Sequence, residues 1–158
     1  MRLGFALVLV AACHSAEVPN WQPDAGACEP YVVPSGMNLM APAVTFSADV
    51  LQVLAHSCTS ASCHGGATPQ GELDLGQAPN TYTNLVGPLA RELSTMPFVM
   101  PGHPDESYLM HKLDADQCTL ASQCVSGDCK QSMPLNNPLD ASSRDTIRRW
   151  IVQGAQNN

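Results

Sequence analysis

The sequence predicts a helical, loop-rich domain behind a proline- and glycine-rich tether. Apolar residues recur at helical spacing in several short stretches, most clearly near the C-terminus. Thirteen prolines and eleven glycines punctuate the chain between those stretches, leaving many turns and little continuous regular structure. Aromatic residues make up only 5% of the chain, so the middle of the fold has room for a buried cofactor. There is no internal repeat and no low-complexity block.

The first element is a leader. Residues 1–13 read as a short basic end, an apolar run, two small residues and a cysteine, the order of a secretory signal. Val10-Ala11-Ala12-Cys13 resembles the lipobox of bacterial lipoproteins. That implies a signal peptide over 1–12, lipidation at Cys13, and a protein tethered to a membrane surface in an oxidising compartment of the cell envelope, on the periplasmic or outer-membrane face. The apolar run is far too short to span a bilayer. A soluble chain with an apolar first strand is the weaker alternative.

Residues 13–43 read as the tether, because no apolar period persists among their prolines, glycines and small polar residues. A disulfide from Cys28 to the body would pin this segment down. The domain proper, 44–158, opens with a helix over 46–56, in which Ser47 can cap, Asp49 suits the positive end, and Val50, Leu51 and Leu54 share a face. It runs straight into Cys58. Leu73 and Leu75 form one short apolar alternation inside a loop. Residues 81–93 form a weaker helix broken at Gly87-Pro88, and Pro104 suits the first position of a helix carrying Tyr108, Leu109 and Leu113. Residues 114–138 read as loop. In the last helix Asp140 or Ser142 caps, Ile147, Trp150 and Ile151 line one face, and Gly154 stops the run.

Charge and motif content narrow the function. A formal net charge of −7 makes nucleic acid and anionic lipid surfaces poor partners and a cationic patch on a redox protein a better one. No carboxylate pair, Ser/His/Asp arrangement or glycine-rich phosphate loop stands out, so an enzyme is not expected. Asp114 and Asp116 read as solvated loop residues, and His14 and His56 as incidental.

The chemistry sits in Cys58-Thr-Ser-Ala-Ser-Cys63-His64. Covalent attachment of haem c needs two thiols for the two vinyl groups and a histidine that reaches the iron, usually with two residues between the cysteines. Here the histidine is adjacent as required, and the spacer has four small, flexible residues. Met133-Pro134, in the loop before the last helix, offers a thioether as the sixth iron ligand, and a His/Met pair raises the reduction potential. Met96 and Met100 are rival methionines, and His103 and His111 would give a bis-histidine haem. The plain alternative for Met133 is a loop methionine or core filler.

Cysteine parity is compatible with two readings. Of seven cysteines, acylation of Cys13 leaves six. With haem on Cys58 and Cys63, the remaining Cys28, Cys118, Cys124 and Cys129 form two disulfides in one of three pairings; without haem, six cysteines pair in fifteen ways. Cys124-Val-Ser-Gly-Asp-Cys129-Lys130 repeats the spacing with lysine in the histidine place, and a surface disulfide there outweighs a second haem. Zinc on Cys58, Cys63, His64 and a further cysteine ranks low, since structural zinc favours two closely spaced pairs.

Five short motifs in one order carry a family resemblance: Cys58–Gly65, Gly71-Glu-Leu-Asp-Leu75, Pro101-Gly-His-Pro-Asp-Glu-Ser-Tyr-Leu109, Met133-Pro134, and Ile147-Arg-Arg-Trp-Ile-Val-Gln-Gly-Ala155. Together they resemble the cytochrome c-like domains of planctomycete and myxobacterial cell-envelope proteins, over residues 44–156. The resemblance implies an all-α, small cytochrome c-like fold, one covalent haem c on Cys58 and Cys63, His64 as proximal and Met133 as distal iron ligand, and Trp150 packing the last helix on the Val50–Leu54 helix. The function it implies is one-electron transfer between redox partner proteins of the cell envelope. The competing reading is a haem-free, disulfide-braced lipoprotein with a binding or structural role. A peroxidase-like enzyme would need an open sixth position, against which Met133 argues.

Overall fold

Two helices from distant parts of the chain meet through three aromatic rings. The computed structural model describes Cys28 and residues 30–135 and 137–158. The signal segment 1–12, the lipidation candidate Cys13, His14 and most of the tether lie outside the described residues. All regular secondary structure among the described residues is helical, apart from the isolated bridges Val86–Val99 and Leu89–Pro97. No helix among them is long and apolar enough to cross a membrane.

The first helical segment begins as a π-helical turn, Phe46–Val50, and continues as helix α1, Leu51–Ser57. Its cap is Thr45 rather than Ser47. The Thr45 hydroxyl accepts from the Ala48 amide at 3.3 Å, and Asp49 accepts in return from the Thr45 amide at 2.7 Å. Thr45 wins because its backbone is extended, as a cap requires, while Ser47 already lies inside the turn. Val50 and Leu54 are fully buried.

Helix α2 spans Ala78–Leu85, with Pro79 in its first turn, so it starts earlier than the apolar pattern implied and ends before Gly87-Pro88. A tight turn at Pro104–Glu106 leads into α3, Tyr108–Asp114, which buries Tyr108, Leu109 and Leu113. The stretch read as plain loop after it holds a 3₁₀ segment, Gln117–Gln123. Helix α4, Ala141–Val152, is capped by Asp140, whose carboxylate accepts from the Ser143 amide at 2.9 Å, and Gly154 follows its end with φ +96°.

Trp150 of α4 lies tilted against Phe46 with centroids 5.3 Å apart, and Tyr82 of α2 closes the trio at 5.3 Å from Phe46 and 6.3 Å from Trp150. Both polar tips are satisfied: Tyr82 Oη donates to Ala155 O, and Trp150 Nε1 to Gln156 O. The C-terminal residues then return to the first helical segment, where the Phe46 and Ser47 amides donate to Asn158. The main core joins these elements through Leu85, Val99, Met110, Leu113, Ile147 and Ile151.

A second, smaller core gathers Ala90, Leu93, Tyr108, Cys124 and Cys129. It contains the Cys124–Cys129 disulfide, with Cα atoms 5.2 Å apart. The surface disulfide expected from the sequence is therefore a buried one: the loop between the cysteines is exposed, but both sulfur-bearing residues face Leu93 and Tyr108.

The other disulfide joins Cys28 to Cys118, Cα atoms 5.8 Å apart, and pins the tether as anticipated. Beyond it the chain is a strap rather than a free linker. The Tyr31 amide donates to Asp114 O, Tyr31 Oη donates to Asp145 at 3.0 Å, and Arg144 lies 3.9 Å over the Tyr31 ring. The Gln153 side chain holds Leu39, Pro42 and Val44. Asp114 is not a solvated loop residue. It is buried at the end of α3, with Arg148 Nη2 2.6 Å from both carboxylate oxygens. Asp116 is likewise committed, to His111 at 2.8 Å.

Candidate cofactor-attachment site

The site begins where α1 ends. The Cys58 amide still donates to Leu54 O at 2.8 Å, and Thr59 Oγ1 donates to Ala55 O at 2.6 Å, so the helix hands over to the spacer without a break. The spacer is a tied loop. Ser60 O accepts from the Cys63 amide at 2.9 Å and the Gly65 amide at 3.2 Å, and the His64 amide returns to Cys58 O at 3.1 Å. Four residues thus separate the cysteines in sequence while the backbone of His64 hydrogen-bonds to Cys58.

A second segment holds the histidine from the other direction. The Gln70 amide donates to Cys63 O, and the Leu75 amide to His64 O at 2.7 Å. His64 Nδ1 lies 3.0 Å from Leu73 O. A carbonyl oxygen can only accept, so Nδ1 carries a proton, and in the neutral ring Nε2 then keeps the lone pair. This fixes both the tautomer and the ring orientation that a metal-ligating histidine needs. Sequence reading gave Leu73 no role beyond its apolar side chain, because a backbone acceptor leaves no mark on residue type.

Cys58 and Cys63 are unbonded and half-buried, whereas the other four described cysteines are cross-linked. Burial pushes the Cys58 thiol up to about 11, with the neighbouring Cys63 adding to the shift. Such a thiol stays protonated at neutral pH and is a poor thiolate ligand. A thioether carries no charge, so the burial that disfavours a thiolate leaves a thioether unpenalised. Cys58 belongs to a set of half-buried apolar side chains, with Leu51, Leu73, Val86 and Phe98, that pack on the main core and keep part of their surface open. Two unbonded thiols, one of them packed with apolar side chains on the main core, and an imidazole oriented by Leu73 O fit haem c.

Among the candidates for the second axial position, Met133 is half-buried in the loop after α3, its amide donating to Lys112 O at 2.8 Å. Met96 packs on the second core, and the Met100 amide is held by Ser107 Oγ at 2.9 Å. His111 has both ring nitrogens engaged, Nδ1 by Asp116 and Nε2 by Asp105 O at 3.1 Å, so ligation there would break two hydrogen bonds. His103 and His56 are exposed. No protein-family model, curated protein or solved structure matches the chain.

Proposed function

We propose that the chain is a c-type cytochrome with a small cytochrome c-like fold, carrying one electron at a time between envelope redox proteins and anchored to a membrane through lipid on Cys13. One observation carries the reading: His64 holds Nδ1 on Leu73 O, leaving Nε2 free, directly beside two unbonded cysteines in a chain that cross-links its other described cysteines. Each thiol S–H would add across one vinyl double bond, forming a C–S bond and placing its hydrogen on the other vinyl carbon, so attachment needs no net oxidant. His64 Nε2 and the Met133 sulfur would hold the iron, and haem c bound there would supply the one-electron iron couple. The residues of this chain supply the rest. Leu73 O keeps the imidazole oriented, and the acidic balance of −7 favours a cationic docking partner.

The test is an intact mass and a reduced-minus-oxidised visible spectrum of the mature protein from its native envelope. A haem-sized increment that survives acid-acetone extraction, with the sharp α-band of reduced haem c, is expected. Substituting Met133 with Ala should then remove the sixth ligand and lower the potential, while Met96→Ala and Met100→Ala leave both in place. No increment, no Soret band and an oxidised Cys58–Cys63 pair would instead establish the haem-free, disulfide-braced lipoprotein.

A further inference from the structure

We infer that Gly65 and Gly66, backed by Gly76, are positioning residues that fold the four-residue spacer, and that without them Cys58, Cys63 and His64 lose the arrangement haem attachment requires. This rests on the haem reading for its purpose but on steric contacts for its content. A β-carbon built on Gly65 would overlap the carbonyl oxygen of Thr59, and one on Gly66 would overlap the carbonyl oxygen of Ala61. A β-carbon on Gly76 would sit 2.9 Å from Gly65 Cα and 3.2 Å from Gly65 O. Every atom struck is backbone, so no side-chain rotation relieves the clash. Gly36, Gly87, Gly102 and Gly127 differ: they sit at positive φ in turns, with nothing within 4 Å of a built β-carbon.

The contacts stack three layers of chain. The spacer carbonyls of Thr59 and Ala61 lie on Gly65 and Gly66, and Gly65 lies on Gly76. Hydrogen bonds tie the same layers together: Cys63 and Gly65 amides to Ser60 O, Leu75 amide to His64 O, and His64 Nδ1 to Leu73 O. Two residues beyond the usual spacer length must be stored somewhere if Cys63 and His64 are to return to Cys58. Here they are stored against the residues just past the histidine, a place open only to backbone without side chains. A methyl group on Gly65 or Gly66 lifts the spacer, breaks the bonds to Ser60 O, and shifts His64 relative to both thiols.

The test is a coupling cycle between the glycines and the spacer. Gly65→Ala and Gly66→Ala are made in the full chain and in a chain lacking Ser60 and Ala61, which leaves a two-residue spacer. Two quantities are read: the fraction carrying covalent haem, by mass, and amide hydrogen exchange of Cys63, His64 and Gly65 in the haem-free protein. In the full-spacer chain each alanine should cut haem loading and amide protection about tenfold, while in the shortened chain both should change less than about twofold, the non-additivity expected of contacting residues. Equal losses in both backgrounds would overturn the inference. If an alanine variant does not fold, the deletion must restore folding, and failure to do so also overturns it. Wild-type protein without haem would sink the cytochrome reading alone, because the exchange data still decide whether the glycines serve the spacer.

Discussion

Two regions of this molecule are held by different means. Around Tyr31, α3 and α4, the chain is cross-linked and ion-paired: both disulfides, the Asp114–Arg148 pair and the buried Lys112 lie there. From Ser57 to Gly76 the chain is held by backbone hydrogen bonds, glycine contacts and packing on the main core, and its two cysteines are unbonded. The covalent braces hold the scaffold and leave the thiols beside His64 unused. On the proposed function, this region would gain its own brace when haem is attached, and so would need none beforehand.

The largest effect tests the cross-links. Replacing Cys28 and Cys118 with serine opens a bridge spanning 90 residues, and chain entropy puts the loss at about 4–5 kcal/mol. Opening Cys124–Cys129, five residues apart, should cost about 2 kcal/mol by the same reasoning. Replacing Cys58 and Cys63 with serine should cost the haem-free protein only about 1 kcal/mol, the price of half-burying two hydroxyls. Urea unfolding of the three double variants gives the order directly. A loss for Cys58/Cys63 as large as for Cys28/Cys118 would mean that these thiols are bridged in solution, and the contrast would be gone.

Next is the buried ion pair. Asp114→Ala leaves the Arg148 guanidinium buried with only Asp145, 3.7 Å from Nε, and should cost about 3 kcal/mol. Burial holds the Asp114 carboxyl above its ordinary range while Arg148 pulls it back, so the pair exists against a desolvation cost. Combining Asp114→Ala with Arg148→Met should therefore recover most of the loss. Denaturant midpoints of the single and double variants check this, and a double variant as unstable as the single one would mean the pair supports the strap at Tyr31 in some further way.

What could be read in the sequence follows the range of each interaction. The helix into Cys58, the Asp140 cap and the Gly154 stop rest on neighbours within a turn or two, and all are present, whereas Pro104 opens a separate short turn and the helix carrying Tyr108 starts only after the extended Ser107. The Cys58-to-His64 motif was visible because its chemistry lies in side chains. Hidden were the partners that only tertiary structure supplies: Cys118 for Cys28, Arg148 for Asp114 at a separation of 34 residues, and Leu73 O for His64. Asp114 was misread for this reason, since an aspartate near a loop looks solvated until its distant arginine is known. Gly65-Gly66 was in plain view, but the need for two adjacent glycines appears only when the spacer is seen lying on them.

A smaller, pH-dependent effect belongs to the braced region. Lys112 Nζ donates to Cys129 O at 2.8 Å, and burial lowers its pKa to about 8, with Glu92 and Asp128 opposing the shift and Lys130 adding to it. Between pH 8 and the unfolded lysine value, the unfolded chain binds the extra proton, so stability rises with pH through this window. Tyr108 acts in the opposite sense above about pH 10. Burial chiefly, then Glu92 and Asp128, keeps its phenol protonated in the fold, and that contribution is lost as the unfolded phenol ionises. The expected profile gains about 2 kcal/mol from pH 8 to 10 and then falls as the unfolded phenol ionises. Lys112→Met should flatten the rise, and a rise that survives the substitution would assign it to another group.

The smallest effects compare the two helix caps. Asp140 accepts from the Ser142 and Ser143 hydroxyls and the Ser143 amide, which together hold its carboxyl far below the usual range, the Ser142 bond contributing most. Its contribution is present above the unfolded aspartate value and fades as pH falls, so Asp140→Ala should cost about 1 kcal/mol at neutral pH and less in acid. Thr45→Ala removes the cap of the segment that leads to Cys58 and should cost about the same. The two should part company when haem is bound. A group attached to Cys58 and Cys63 stabilises the end of α1 without touching the start of α4, and local opening follows local stability. Amide exchange near Leu54 and Cys58 should therefore respond to Thr45→Ala more in haem-free than in haem-loaded protein, while exchange in the first turn of α4 responds to Asp140→Ala equally in both. Equal responses at α1 would mean that the motif region is as firmly held before attachment as after, and that its lack of covalent braces reflects no dependence on a bound group.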